Sequence, residues 1–548
     1  MSGAFGSSQW AYSSGVAGYQ IEDSLRFEDG SSAYLNRTPA SAGNRKTWTF
    51  SFWIKRGNLG GTQLAGINSG ESWMVRFNTA NKFACNFTNN TGVNYFLDTT
   101  RVFRDTSAWY HIVISCDTTQ ATASNRVKAY VNGELETITG GATSIPQNYE
   151  TDINVAALHG IGKGVVGTAY HFDGYLSDVH FIDGQALDPT SFGETVDGYW
   201  RPVAYSGSYG TNGFRLEFDS DTTDSSGNGN DWTANNISAH DYVPDSPTNN
   251  FAVMNPLANE LNATLSEGNL RVIGTSNEKL IFSTFGVSSG KWYFEAYIEN
   301  QELRGVVGIT DDKGNDGYEY GQNYAQLSTY FGFLSTSATD SGENFSRGCQ
   351  DGDVISFAVD ADNGQVWIKL NSAVNTGSAA FATGLSTDTT YRVHYQDSYT
   401  SNTTIKFNFG QDSTFAGATT AGGNTDANGI GDFKYAPPAG YLALCTSNLP
   451  TPSIVDGSEH FNTITWSGAA STQQLPLNFT PDFVWAKRRN GADSHRLYDV
   501  IRGENQDLQS NSTSAELTND YGLDFLGHNY LEVDSTKYFG LSGNTFVG

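Results

Sequence analysis

Gly290-Lys-Trp-Tyr-Phe-Glu-Ala-Tyr-Ile-Glu299 alternates strictly, with Trp292, Phe294, Ala296 and Ile298 on one face and Tyr293, Glu295, Tyr297 and Glu299 on the other. A period of two in a run rich in aromatic and branched residues predicts a half-buried antiparallel strand. Downstream, Asp353-Val-Ile-Ser-Phe-Ala-Val-Asp-Ala-Asp-Asn363-Gly364-Gln-Val-Trp-Ile-Lys-Leu370 reads as a hairpin. Asn-Gly accepts the positive φ angles of a tight primed turn. Ile355, Phe357 and Val359 then share a face of the incoming strand, and Val366, Ile368 and Leu370 share a face of the outgoing one. A third alternating strand, Ile405-Lys-Phe-Asn-Phe409, leads into Gly410-Gln-Asp-Ser-Thr-Phe415.

With Val307-Gly-Ile-Thr310, this order resembles the SPRY domain from about Leu270 to Phe415. The resemblance implies a bent β-sandwich used for binding. Nearer the N-terminus, Ser24-Leu-Arg-Phe-Glu-Asp-Gly-Ser-Ser-Ala-Tyr-Leu35 reads as strand, turn and strand. Thr47-Trp-Thr-Phe-Ser-Phe-Trp-Ile-Lys55 puts Trp48, Phe50, Phe52 and Ile54 on one face. Trp109-Tyr-His-Ile-Val-Ile-Ser115, the hairpin Val127-Lys-Ala-Tyr-Val-Asn132-Gly133-Glu-Leu135 and Phe172-Asp-Gly-Tyr-Leu-Ser-Asp-Val-His-Phe-Ile-Asp-Gly184 follow. These elements resemble the laminin-G or concanavalin-like jelly roll from about Gly18 to Trp200.

The chain of 548 residues is too long for one core. Its 13% aromatics, 60 glycines and low charged fraction of 16% fit an all-β protein of many turns. The expected fold is a tandem of antiparallel β-sandwiches: a concanavalin-like jelly roll, a SPRY-like sandwich and a smaller β domain. The expected boundaries are an arm at 1–17, the laminin-G-like domain at 18–240, a Pro- and Asn-rich linker at 241–260, the SPRY-like domain at 261–416, a Gly-rich linker at 417–438 and the β domain at 439–548. The last domain ends where another inward strand is expected, which leaves it incomplete or completed by another chain.

Acidic residues outnumber basic ones, 58 to 31, for a net charge of -27. That field repels phosphate backbones and argues against nucleic acid as a partner. No apolar run reaches the ~18 residues of a membrane span, and the N-terminus has no basic start or apolar core of a secretory signal. Cys85, Cys116, Cys349 and Cys445 are too scattered for a zinc site and read as buried thiols, although Cys85 and Cys116 could pair across neighbouring strands.

Catalytic signatures are missing. The Glu-x-Asp-x-x-Glu strand pattern of concanavalin-like glycosidases is absent, and Glu532-Val-Asp534 has no third acid at the required place. Glu295 and Glu299 fall on an outward face. Gly-x-x-x-x-Gly-Lys and His-Glu-x-x-His are also absent, so the chain is not expected to be an enzyme. His171-Phe-Asp173 and Asp178-Val-His180 have ligand spacing for a transition metal, but they occupy ordinary strand and turn positions.

No cofactor is required, and calcium is the candidate ion. Asp219, Asp221, Asp224, Asn228, Asn230 and Asp231 make a loop dense in hard oxygens, although its spacing departs from an EF-hand and such residues also dominate plain turns. Tyr318, Tyr320, Tyr324 and Tyr330 lie in a long loop of the SPRY-like segment and are the candidates for stacking on a sugar.

The stretch from Gly213 to Asn236 resembles the end of laminin-G-like modules in bacteriophage virion proteins. Phe461-Asn-Thr-Ile-Thr-Trp-Ser-Gly468, Phe479-Thr-Pro-Asp-Phe-Val-Trp-Ala-Lys487 and Arg496-Leu-Tyr-Asp-Val-Ile-Arg-Gly503 resemble a small phage-type β domain. Together the resemblances imply a virion protein made in the host cytoplasm: a tail fibre or accessory fibre that adheres to host glycans or envelope components. By analogy it would be a homo-oligomer such as a trimer, bound to other virion proteins and not inserted in a membrane. The alternatives are a capsid decoration or tail-assembly protein, a glycan-degrading enzyme and a bacterial surface adhesin.

Overall fold

The computed structural model describes residues 18–59, 61–69, 72–88, 94–140, 145–165, 170–196, 198–275, 279–302, 305–311, 324–328, 334–336, 339–340, 347–397, 403–450, 454 and 456–548. The chain forms two compact units. One comprises residues 1–195 with 200–451, the other 196–199 with 452–548. Among the described residues the regular structure is β with a few 3-10 turns, antiparallel except where Leu442–Ala443 pairs in parallel with Lys291–Asn300, and no helix is long and apolar enough to cross a membrane.

The first unit opens with a two-sheet sandwich. One sheet runs Val127–Val131, Trp109–Asp117, Thr47–Arg56, Gly174–Asp183, Ser24–Phe27, Tyr242–Val243. The facing sheet includes Phe83–Thr88, Ser72–Phe77, His159–Ile161 and Tyr34–Arg37. The alternation in Thr47–Arg56 sends Trp48, Phe50, Phe52 and Ile54 into the core between them, as expected. At Asn132-Gly133 both residues have positive φ, 50° and 81°, and Val131 pairs directly with Glu134. This is the two-residue primed hairpin that Asn-Gly favours.

A second sandwich follows. Its larger sheet carries Arg271–Ile273, Thr404–Asn408, Lys291–Asn300, Val354–Asp360 and Gln365–Leu370 in that order. The opposing sheet runs Leu280–Val287, Tyr391–Asp397, Gly305–Asp311, Tyr324–Ser328. Phe294 lies opposite Phe357, their rings stacked 4.5 Å apart in the core. The Asn363-Gly364 turn differs from the tight two-residue form. Asp360 pairs with Gln365, so the loop holds four residues, and only Gly364 is left-handed, at 61°.

Both connecting segments are built into the first unit. In the 241–260 stretch, Asp245, Ser246, Asn250 and Phe251 are buried. The fully buried Lys55 projects from the outer face of Thr47–Arg56 and donates to Asp245 Oδ2 at 2.7 Å, Asn250 Oδ1 at 2.7 Å and the Phe251 carbonyl at 2.9 Å. Trp109 Nε1 completes the cage by donating to Asp245 Oδ1 at 3.2 Å. A lysine at an outward sheet position is buried here because the connector folds back over that face and supplies oxygen acceptors for its ammonium.

Glu295 differs from its expected outward exposure for the same reason. Residues 417–438 cover it, and its carboxylate accepts from the Tyr435 amide at 2.7 Å, the Lys434 amide at 2.8 Å, Tyr293 Oη at 3.0 Å and Asn408 Nδ2 at 3.2 Å.

The second unit is small. Thr465–Ser467, Thr545–Val547, Phe483–Arg488 and Arg496–Asp499 form one sheet; Gln473–Pro476, Tyr530–Val533 and Leu523–Asp524 form another. Thr545–Val547 pairs on both sides and buries Phe546 in a core with Trp466, Tyr498, Phe525 and Phe539. All four cysteines are free and buried, Cys85 and Cys116 included.

Candidate functional site

The Phe483–Arg488 strand positions a site in the second unit. Its alternation buries Val484 and Ala486 and leaves Phe483 and Trp485 facing outward, 54% and 51% exposed. Phe461, 75% exposed, adds a third outward ring. These three line a cleft of about 610 Å³ with His460, Phe479 and His495, and Glu459, Asp482 and Lys487 belong to the same lining. Trp485 is held in place: its Nε1 donates to His495 Nδ1 at 2.9 Å, and the two rings meet edge to face at 5.7 Å. The Lys487 ammonium is turned to the Arg488 and Gly491 carbonyls at 2.6 and 2.8 Å. A lining of outward aromatic rings together with a few acidic and amide groups suits a polar ligand with an apolar face.

A second, polar cleft of about 240 Å³ lies in the first unit between Tyr19, Gln20, Asp23, Asp178, Arg215, Glu217 and Asp219. A register irregularity between Ser177 and His180 puts Asp178 at φ 44°. Its carboxylate meets His180 Nε2 at 3.0 Å and Arg215 Nε at 2.9 Å. Burial pushes the Asp178 carboxyl up, but His180 and Arg215 outweigh it and hold it down to about 2. Across the cleft, Asp23 is pushed up to about 6 by burial and by repulsion from Glu22 and Asp219.

The candidate calcium residues divide between two places. Asp219 lines the polar cleft. In the loop itself Asp224 caps the main chain: Oδ1 accepts from the Arg215 and Ser226 amides at 2.9 and 2.8 Å, and Oδ2 from the Asn230 amide at 2.8 Å. Asp231 Oδ1 accepts from the Asp224 amide, and Asp221 Oδ1 from the Thr223 amide, both at 2.8 Å. Asn228 and Asn230 donate through Nδ2 to the Gly213 carbonyl at 2.9 and 2.8 Å. These are the bonds by which Asp and Asn close turns.

Of the tyrosines proposed for sugar stacking, Tyr318, Tyr320 and Tyr330 lie outside the described residues. Tyr324 starts the Tyr324–Ser328 strand and pairs with Thr310. His171, Asp173, Asp178 and His180 do not gather into one metal-binding group. Asp178 and His180 pair with each other, whereas Asp173 turns toward Glu28 and Asp29. The sequence reading missed the aromatic cleft. Its signal was the pair Phe483 and Trp485 at alternate positions, indistinguishable from an inward face without the other sheet.

Residues 29–191 match the family model of the concanavalin A-like lectin/glucanases superfamily, and residues 456–540 match a domain of unknown function, DUF7483. Among curated protein sequences none matches the chain. Similar solved structures include the SPRY domain of human HERC1, at 16% identity and TM-score 0.22, covering 26% of this chain and 91% of that one. A heptameric SAP-like pentraxin from Limulus polyphemus aligns at 15% identity and TM-score 0.23, covering 31% and 79%. A putative carbohydrate binding protein from Bacteroides ovatus aligns at 14% and 0.28, covering 40% and 60%.

Proposed function

We propose that the chain is an adhesion protein that binds glycans and performs no chemistry on them, with the aromatic cleft of the second unit as its capture surface. The observation carrying this is the outward Phe483–Trp485 face beside Phe461. A pyranose would present an apolar face to such rings, and Glu459 and Asp482 of the same lining are acceptors for its hydroxyls. The concanavalin A-like match over residues 29–191 supports a binding role for the first unit as well. Virion placement, as a bacteriophage tail fibre or accessory fibre acting as a homo-oligomer, draws its support from the resemblance of residues 213–236 and of the 461–503 blocks to phage modules. Several copies on one particle would turn weak sites into lasting attachment.

A glycan array probed with the full chain tests the reading. Defined glycans should be retained, and Trp485→Ala should lose them while keeping its near-ultraviolet dichroism apart from the missing indole. Uniform failure of the wild-type chain to bind refutes it, and release of reducing ends from bound glycans would move the assignment to an enzyme. Labelling on native particles separates a distal fibre from capsid decoration.

A further inference from the structure

The charges around the aromatic cleft of the second unit are one-sided. Glu459 and Asp482 belong to its lining, both are exposed, and among the described residues neither carboxylate takes part in a hydrogen bond or ion pair. Other acids of this unit are matched. Asp493 meets Arg488 at 3.2 Å, Asp499 meets Arg502 at 2.6 Å, Asp520 meets Lys537 at 3.0 Å, and Asp507 pairs with Arg496. None of these pairs belongs to the described lining.

No free cation offsets the two acids. Lys487 is the one lysine or arginine in the described lining, and its ammonium donates to the Arg488 and Gly491 carbonyls at 2.6 and 2.8 Å. His495 brings no positive charge either. A tryptophan Nε1 only donates, so the His495 Nδ1 that accepts from Trp485 at 2.9 Å carries no proton, and the ring is neutral.

An ionised carboxylate accepts hydrogen bonds and donates none. Sugar hydroxyls and acetamido N–H groups can donate to Glu459 and Asp482. A ligand carboxylate, sulfate or phosphate sets oxygen against oxygen with no proton between them, and adds a like charge. A sphere of the cleft's volume is about 10 Å across, so an anion inside lies within about that distance of both acids; at about 8 Å the two together disfavour it about sixfold in water. Salt erases the effect, since the screening length falls from about 30 Å at 0.01 M to about 3 Å at 1 M.

Building on the glycan reading of this cleft, we propose that Glu459 and Asp482 make it selective for uncharged glycans. Neutral pyranose chains are taken up on Phe461, Phe483 and Trp485, and chains bearing uronate, sulfate or phosphate groups are turned away.

The full chain is applied, at low salt and at pH 8, above the range in which exposed imidazoles titrate, to an array of matched pairs. These are N-acetylchitotriose beside its sulfate ester, lactose beside its sulfate ester, and methyl-esterified trigalacturonate beside the free acid. Neutral members should bind about three- to sixfold more tightly than their anionic partners, and the ratio should fall toward one in 1 M NaCl. It should fall likewise in the double variant Glu459→Gln with Asp482→Asn. Glu134→Gln with Asp388→Asn removes the same charge from exposed positions of the first unit and should leave the ratio unchanged. Failure of every glycan to bind removes the underlying capture reading and this inference with it. The selectivity alone is overturned if anionic members bind as well as neutral ones, if the cleft variant leaves the ratio in place, or if the first-unit variant moves it equally.

Discussion

Replacing Lys55 by methionine removes the one cation from the cage formed by Asp245, Asn250 and Phe251. The methionine fills the channel left by the lysine stem, so little packing is lost, and the effect is electrostatic. Asp245 keeps only Trp109 Nε1 at 3.2 Å and the Phe251 amide at 3.3 Å. Burial already pushes the Asp245 carboxyl up and the Lys55 ammonium down, each opposed by the partner's charge. Removing one member of such a fully buried pair costs about 3–5 kcal/mol. Adding Asp245→Asn to Lys55→Met should return about 1–3 kcal/mol, because the orphaned charge goes too. The assay is urea unfolding followed by tryptophan fluorescence, read on the transition of the first unit and extrapolated linearly. A loss below about 1 kcal/mol for Lys55→Met, or strictly additive losses in the double variant, would refute the account of the connector as a charged latch.

Three further outcomes follow from local geometry. His111, stacked between Trp53 and Trp200 and bonded to Ser51 Oγ and Trp200 Nε1, is lowered to about 3 by burial. The unfolded chain therefore takes up this proton first as the pH falls below about 6.5, and the histidine's share of stability, intact above that pH, drains away toward pH 3. The stability difference between wild type and His111→Gln should shrink by about 1.4 kcal/mol per pH unit across that window, and a flat difference would count against a neutral buried ring. Gly133→Ala forces a Cβ at φ 81° to within 2.4 Å of the Trp200 ring. It should cost about 1–3 kcal/mol in urea unfolding, and a neutral result would speak against the primed turn. The four cysteines should resist a thiol reagent in the native protein and all react in denaturant, since burial pushes Cys85 and Cys349 up to about 12; rapid native labelling would contradict their burial.

Strand identity was legible because the side-chain period of two is a local property. The inward sets Trp48, Phe50, Phe52, Ile54 and Trp292, Phe294, Ala296, Ile298 could be read without knowing their partners. Turn form was legible only in part: Asn132-Gly133 makes the tight hairpin, whereas Asn363-Gly364 closes a longer loop set by the Asp360–Gln365 pairing.

The amino-acid order by itself determined the fold class, the inner faces of the two sandwiches and the scarcity of catalytic motifs. Tertiary structure alone decided what happens to the opposite faces. Lys55 and Glu295 both sit at polar alternation positions that a solvated sheet would expose, and both are buried because segments distant in sequence fold over them. The same holds for the sites. Phe483 and Trp485 have the pattern of a core face yet point outward. Periodicity records that a strand has two faces; which of them meets another layer depends on long-range packing, and that leaves no local mark.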